Sequence, residues 1–361
     1  MDISLKKTEK KVDFYNNSFD VFRLIAAISV ILLHGFAYFN NGKIDKPFFL
    51  LPFSFINGVN ILFAISAFCI CGSFDRSKNI KDYTKKRISR VVPSLWIALF
   101  INTLIIFGLY YLPNIKEIFI YFITQFSFLR FYTADWLRGY GVGVPNPSLW
   151  TIFVEIQLYV IIALVYPKMK KLNFKSWCII LLFSILLTFV PYFLSSYIPE
   201  IIAKFYGQTF IPYLPIFITG MMLYNFKEKL LPLFLKFYWF ILAIYVLFKV
   251  LYHGFGIRFF GPIGHSINAI NYHATLTDVL LVVFVIATAY KIGKIKFKFD
   301  LSYPIYLFHM IIFNIFVHYN IDSSGWMLFI AILITIFISY IYGAFIEKKL
   351  VRFAEKNILK I

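Results

Sequence analysis

Arg23 and His34 stand eleven residues apart in FDVFRLIAAISVILLHGFAYF, Phe19 to Phe39, a run otherwise apolar and long enough to cross a bilayer. An ionisable side chain inside such a helix costs between about 2.5 and 17 kcal/mol, depending on the reference, so a chain that keeps two of them is expected to use them. Eleven residues at about 100° each make about three turns, which puts both on one helix face, about 16 Å apart along the axis. A guanidinium holds an anion, and an imidazole titrates near neutrality and serves as base, acid or nucleophile. The pair can therefore line one cavity. Singly, Arg23 would suit snorkelling to the headgroups and His34 a hydrogen bond to a neighbouring helix; their shared face argues for function.

Further groups of the same kind follow. Glu155, in PSLWTIFVEIQLY, lies about 12 Å in from the outer end of its span and needs a partner; its depth is compatible with that of His34. Thr151 shares the Glu155 face at i and i+4, whereas Trp150 does not. In DLSYPIYLFHMIIF, Ser302, Tyr306 and His309 fall on one face, with His309 about 13 Å from Asp300, and Pro304 is expected to open the backbone one turn in. Arg87 and Arg90, three residues apart just before Pro93, are expected on one side of a short helical turn, where their forks suit phosphate oxygens. Lys85 and Lys86 beside them suit lipid headgroups.

These residues need helices to hold them. Of 361 residues, 60% are hydrophobic and 21% aromatic, and the mean hydropathy is +0.77, against about 45 to 50% apolar in a soluble domain. The fold class is therefore all-α, a polytopic membrane protein, with apolar runs near 19–39, 48–72, 91–112, 147–166, 177–198, 209–224, 232–252, 273–291, 301–320 and 327–346 giving about ten transmembrane helices. Three parts are expected: a segment 1–18, a membrane-embedded domain 19–346, and a cationic tail 347–361 lying on the inner leaflet. The net charge of +19 does not point to nucleic acid. With the N-terminus inside, 26 of the 36 Lys and Arg fall on inner segments and 7 on outer loops, so both termini are expected in the cytoplasm. Anionic lipid or an anionic cytosolic ligand accounts for that charge.

Other features carry less. Cys69, Cys71 and Cys178 all fall in apolar runs and suggest neither disulfide nor metal site, and His253, His265 and His273 have spacings that match no ligand motif, so no metal is expected. The first run is too long and too poorly followed by small residues for a cleaved signal peptide, and is expected to remain as an anchor. Gly58, Ala64, Ser66, Ala67 and Gly72 offer small surfaces for helix packing. The outer segment from Pro113 to Pro147 reads as a re-entrant or surface helix followed by a lid, whose Trp136 and Tyr140, with Trp150, suit sugar stacking or the interfacial aromatic belt. No internal repeat is visible, which counts against a transporter.

Taken together, the motifs resemble the acyltransferase-3 family of bacterial integral-membrane acyltransferases, which includes O-antigen, capsule and nodulation-factor O-acetyltransferases. The family's Arg, ten residues, His is matched by Arg23 and His34; its aromatic and small second span by ILFAISAFCICGSF; its Arg, two residues, Arg, then Pro by Arg87, Arg90 and Pro93. SLWTIFVEIQ matches its span with Trp and a buried Glu, and Ser302 to His309, including Tyr303, matches its late Ser-Tyr-x-Ile-Tyr-Leu-x-His. Members often carry Glu-x-Pro after the last span, whereas Glu347 is followed here by Lys348 and Lys349.

The resemblance implies acyl transfer in the bacterial inner membrane, from cytosolic acetyl-CoA or another acyl-CoA to a hydroxyl of a glycan or glycolipid. It implies catalytic roles for His34, Glu155 and His309, donor binding by Arg23, Arg87 and Arg90, and support from Ser302, Tyr303, Tyr306, Trp150 and Thr151. His34 is expected as general base or transient acyl carrier, Glu155 to orient or charge-pair it, and Tyr306 or His309 to donate to the oxyanion. Many members also carry a fused extracytoplasmic SGNH-type domain, so a separate extracytoplasmic transferase partner is a further expectation. The rival readings are a proton-coupled or lipid-flipping transporter, which internal symmetry would favour, and a structural scaffold.

Overall fold

The computed structural model describes residues 12–44, 56–127, 129, 132–188, 197–254 and 274–358. Among the described residues every regular element is a helix, as the composition led one to expect. The helices, in chain order, are α1 (Phe19–Tyr38), α2 (Gly58–Asp75), α3 (Ile80–Leu109), α4 (Ile115–Gln125), α5 (Trp150–Met169), α6 (Phe174–Leu187) and α7 (Glu200–Gly207). They continue as α8 (Leu214–Asn225), α9 (Lys227–Lys236), α10 (Tyr238–Gly254), α11 (Ala274–Ile292), α12 (Ser302–His318) and α13 (Gly325–Ile341), then a π turn (Tyr342–Glu347) and α14 (Lys348–Phe353).

Five described stretches are long and apolar enough to cross a membrane, and a sixth counts if α9 and α10, bent by 79°, form one span. The expected ten are thus five or six among the described residues. Among the uncounted ones, α6 and α12 are apolar but short, α8 has only 12 residues, and residues 189–196, where the fifth expected span ends, lie outside the described residues.

Helix α2 is the hub, packing on α8, α1, α11 and α5. Small residues permit this: a Cβ on Gly220 of α8 would lie 2.6 Å from the Ala67 methyl, and one on Gly58 would strike the Ala26 carbonyl of α1. Close approach lets dispersion hold helices together where lipid removes the hydrophobic drive.

Two local expectations change. Arg87 and Arg90 sit not on a short turn but within the 30-residue α3, which starts early because Asn79 caps it by accepting the Asp82 N–H, and Lys86 pairs with Asp82 at 2.7 Å. Pro304 leaves α12 closed, since in the first turn its missing N–H has no intrahelical partner to lose. The tail after Glu347 continues helically from α13 and packs along α3, burying Ala354.

The segment between α4 and α5 enters the bundle. Asn314 of α12 accepts the Val142 N–H (2.9 Å) and donates to the carbonyls of Val144 (3.1 Å) and Pro145 (2.8 Å), while Asn146 donates to Leu307 O at 3.0 Å and Asn102 to Pro145 O at 3.1 Å. Gly141, at φ +52°, presses so close to Asn314 that a side chain would not fit. Irregular backbone at this depth is stable only when protein supplies its hydrogen bonds, and three asparagines do so. Tyr140 is buried beside Tyr110 and His318, and the half-buried Trp136 packs on Tyr111 and Tyr121.

Candidate active site

A cavity of about 260 Å³ lies among α1, α2, α3, α5 and the start of α12. Its wall carries Arg23, Arg87, Arg90, Glu155, Thr151 and Tyr306, and also Ser302 and Tyr303. Residues as far as 283 positions apart in sequence, Arg23 and Tyr306, are thus assembled by the packing of the helices.

Charge grades along the cavity. Arg90 pairs with Asp300 at 3.4 Å and Arg23 with Asp20 at 3.0 Å, leaving the Arg23 guanidinium also 3.7 Å from Cys69 Sγ. Burial pushes the Asp300 carboxyl up, but the guanidiniums of Arg90 and Arg23 and two hydrogen bonds from Ser302 hold it below the usual carboxylate range. Arg87 differs: its Nε is buried without a hydrogen-bond partner and it has no ion pair among the described residues, and its guanidinium carbon lies 5.9 Å from the Tyr159 ring. A guanidinium left this way favours an incoming anion, because removing a charge from water without compensation is costly. Sequence reasoning missed two more cations of the wall, Arg76 and Lys296; they lie in cation-rich loops where nothing in the pattern singles them out.

At the other end, Thr151 Oγ1 and the Tyr306 hydroxyl meet at 2.5 Å, and Tyr306 donates to Ser148 O at 2.7 Å. Tyr303 anchors α12 on α3 through Val91 O at 2.9 Å. Trp150 is not in the cavity wall; it packs against Phe63, which is, and against Tyr213.

Beyond Tyr306 stand the two histidines. His34 Nδ1 lies 2.8 Å from His309 Nε2, with the rings stacked at 5.1 Å and 11°. His309 is fully buried, and its Nδ1 faces the carbonyls of Ile305 (3.1 Å) and Tyr306 (3.0 Å). Carbonyls only accept, so the network assigns the His309 proton to Nδ1. His309 Nε2 must then accept the His34 Nδ1–H, which leaves His34 Nε2 with its lone pair free of partners among the described residues. The arrangement is a base whose tautomer is set from behind.

Two expectations therefore need correction. Arg23 and His34 do not line one cavity: Arg23 does, but Gly58 rests on Ala26 and Val30 and fills the face between them. Glu155 does not pair with His34; it accepts from Ser66 at 2.8 Å inside the cavity. The partner of His34 is His309, on the face that Ser302 and Tyr306 share with it. Of the other histidines, His265 and His273 lie outside the described residues, as does the side chain of His253. Among the described residues no cluster could hold a metal ion.

Comparison with known proteins adds a sequence-level finding. The profile described as "Acyltransferase domain", acyltransferase-3, matches residues 16–344. The chain is 28% identical over 156 residues to nodulation protein 10 of Rhizobium leguminosarum bv. viciae, covering 40% of this chain and 42% of that protein. It is 29% identical over 182 residues to an O-acetyl transferase of Shigella phage Sf6, covering 48% and 53%. With the peptidoglycan O-acetyltransferase OatA of Listeria monocytogenes it shares 23% over 170 residues, 44% of this chain and 25% of that one. The chain thus spans about half or less of the length of these curated relatives. No solved structure matches it.

Proposed function

The chain belongs to the acyltransferase-3 family of acyltransferase domains, and from that premise we propose that it is an inner-membrane O-acyltransferase moving an acyl group, acetyl above all, from cytosolic acyl-CoA to a hydroxyl of a cell-surface glycan or glycolipid. The observation that carries this reading is the Nε2 of His34, without a partner among the described residues and backed by His309, on the far side of Tyr306 from a cation-walled cavity.

Arg87 is the anchor for the donor's phosphates, because it alone among the guanidiniums of the α3 face lacks an ion-pair partner among the described residues; Arg90 and Arg23 flank it. The pantetheine arm runs past Ser66 and Glu155 toward Thr151 and Tyr306. Acyl-CoA supplies an activated thioester carbon, to which the acceptor oxygen bonds as the carbon–sulfur bond breaks. His34 Nε2 takes the proton of the acceptor hydroxyl during attack and returns it to the departing thiolate, leaving the enzyme unchanged. The same nitrogen would carry the acyl group if transfer were stepwise. His309 holds the His34 Nδ1–H and shares the positive charge that the first proton transfer creates. Tyr306, standing between the cavity and His309, must swing for the acyl group to reach His34, and its hydroxyl is placed to donate to the oxyanion.

The test is acetyl transfer by purified protein in nanodiscs with labelled acetyl-CoA and a hydroxylated glycolipid. His34→Ala is expected to lower transfer and CoA release together by about 10²- to 10⁴-fold in a folded protein. Equal CoA release by both proteins rejects the mechanism.

A further inference from the structure

The rim of the cavity includes a stretch that belongs to no helix. Residues 12–18 cross the mouth before α1 begins, and they are tied down along their length. Val12 N–H donates to Glu228 Oε2 at 2.6 Å, and the Phe14 carbonyl accepts from Asn17 Nδ2 at 2.6 Å and from the Tyr290 hydroxyl at 3.3 Å. Ser18 donates through both N–H (3.1 Å) and Oγ (3.2 Å) to Ala289 O, and Lys296 Nζ reaches Asn17 Oδ1 at 3.3 Å. The Phe14 ring lies flat on Phe68 at 6.0 Å, with Gly72 leaving room for its edge.

Tyr15 breaks the pattern. Its neighbours are anchored, yet it is 58% exposed while lining the cavity. It stands edge-on to Phe14 at 5.5 Å, and its hydroxyl has no hydrogen-bond partner among the described residues. The Arg76 guanidinium lies 4.2 Å above Phe14 and 5.5 Å from the Tyr15 ring, and Arg76 has no carboxylate partner among the described residues. A rigidly mounted aromatic face, a cation beside it held by stacking rather than by a counter-ion, and Lys296 in the same wall match the two halves of a nucleotide: a flat base and its phosphates.

We propose that Tyr15 and Arg76 form a base-stacking subsite on the strap of residues 12–18, which makes the protein selective for a nucleotide-bearing donor; this rests on the acyl-CoA reading above. The base lies on the Tyr15 face, and Arg76 and Lys296 take phosphate oxygens, so the strap measures the distal end of the donor while Arg87 holds its middle. Tyr15 is a specificity residue and takes no part in the chemistry.

Acetyl-CoA and acetyl-pantetheine share a thioester and differ in the nucleotide, so their kcat/KM ratio reads the subsite. In nanodiscs Tyr15→Ala is expected to lower that ratio about tenfold through KM, and Tyr15→Phe to keep it. An unchanged ratio in Tyr15→Ala overturns the proposal, as does a wild type that does not discriminate. A second arm needs no turnover: wild type is expected to bind adenosine 3′,5′-bisphosphate, and Tyr15→Ala to bind it about tenfold more weakly. No binding by wild type overturns the subsite. Binding that Tyr15→Ala weakens, together with no acetyl transfer from either donor, sustains the subsite and rejects the donor reading.

Discussion

His309 touches neither the cavity nor any group other than His34 that is free to react, so its part is to fix the proton on the far ring. Two backbone carbonyls hold its Nδ1–H and thereby oblige Nε2 to accept from His34. Replacing it with Gln preserves an acceptor for His34 but loses the ring's fixed position. We expect His309→Gln to lower kcat about 10- to 100-fold, with KM for acyl-CoA within about twofold of wild type, as for other groups that orient a reacting imidazole. Steady-state kinetics decide it: a raised KM with normal kcat would move His309 into donor binding. The separate chemistry of these residues was legible in the sequence, because an ionisable group in an apolar helix announces itself by its cost. Their pairing was not. Depth along a helix fixes one coordinate, and Glu155 at a depth compatible with His34 is carried by its azimuth to Ser66 instead. His34 and His309, 275 residues apart, meet only because α1 packs against α12.

At the level of elements, the segment between α4 and α5 is held where it is by one side chain above all. Asn314 satisfies the Val142 N–H and the Val144 and Pro145 carbonyls; of these, among the described residues only Pro145 O has a second partner, in Asn102. Asn314→Ala leaves two half-buried backbone groups without this partner, each worth up to about 1–3 kcal/mol. The variant is expected to lose about 2–4 kcal/mol of stability, seen as a lower Tm in nanodiscs, with faster protease cleavage between Trp136 and Asn146. An unchanged melt and cleavage pattern would show that this segment is held elsewhere. Residues Ser148 and Tyr306 hydrogen-bond at its end, so loosening it also frees the ring that closes the cavity. The sequence showed the ingredients, since Gly, Pro and Asn cluster there and an entry into the membrane was among the readings. It could not show Asn314 as the receiver, because a single Asn in an apolar helix suits any neighbour. Helix ends were misjudged where apolarity alone drew the boundary: α3 begins at Ile80, behind the Asn79 cap, well before the apolar run that starts near residue 91.

For the whole molecule, orientation decides which ligand meets which end. The cavity wall with Arg23, Arg76, Arg87, Arg90 and Lys296 lies at the end of the bundle where the cation-rich segments gather. The histidine pair lies farther along α1 and α12, toward the opposite end. Loops rich in Lys and Arg resist translocation, so that charge bias should place the cavity mouth in the cytosol, where acyl-CoA is found, and His34 toward the outer leaflet, where a glycan acceptor is presented. Reporter fusions test this directly. Green fluorescent protein joined after Lys171, Lys229, Lys298 or Lys356 is expected to fluoresce, and alkaline phosphatase joined after Lys43 or Arg138 to be active, because the first reporter folds only in the cytosol and the second only outside. The opposite pattern would turn the cation wall away from the acyl-CoA pool and reject the donor assignment, even though every contact in the cavity stayed as it is. Alternation along the whole series matters as much as its ends. A fusion after Lys229 that reads outside, with Lys171 and Lys298 inside, would mean that α6 and α8 do not together cross and return, and would fix the span count below the ten that hydropathy suggests.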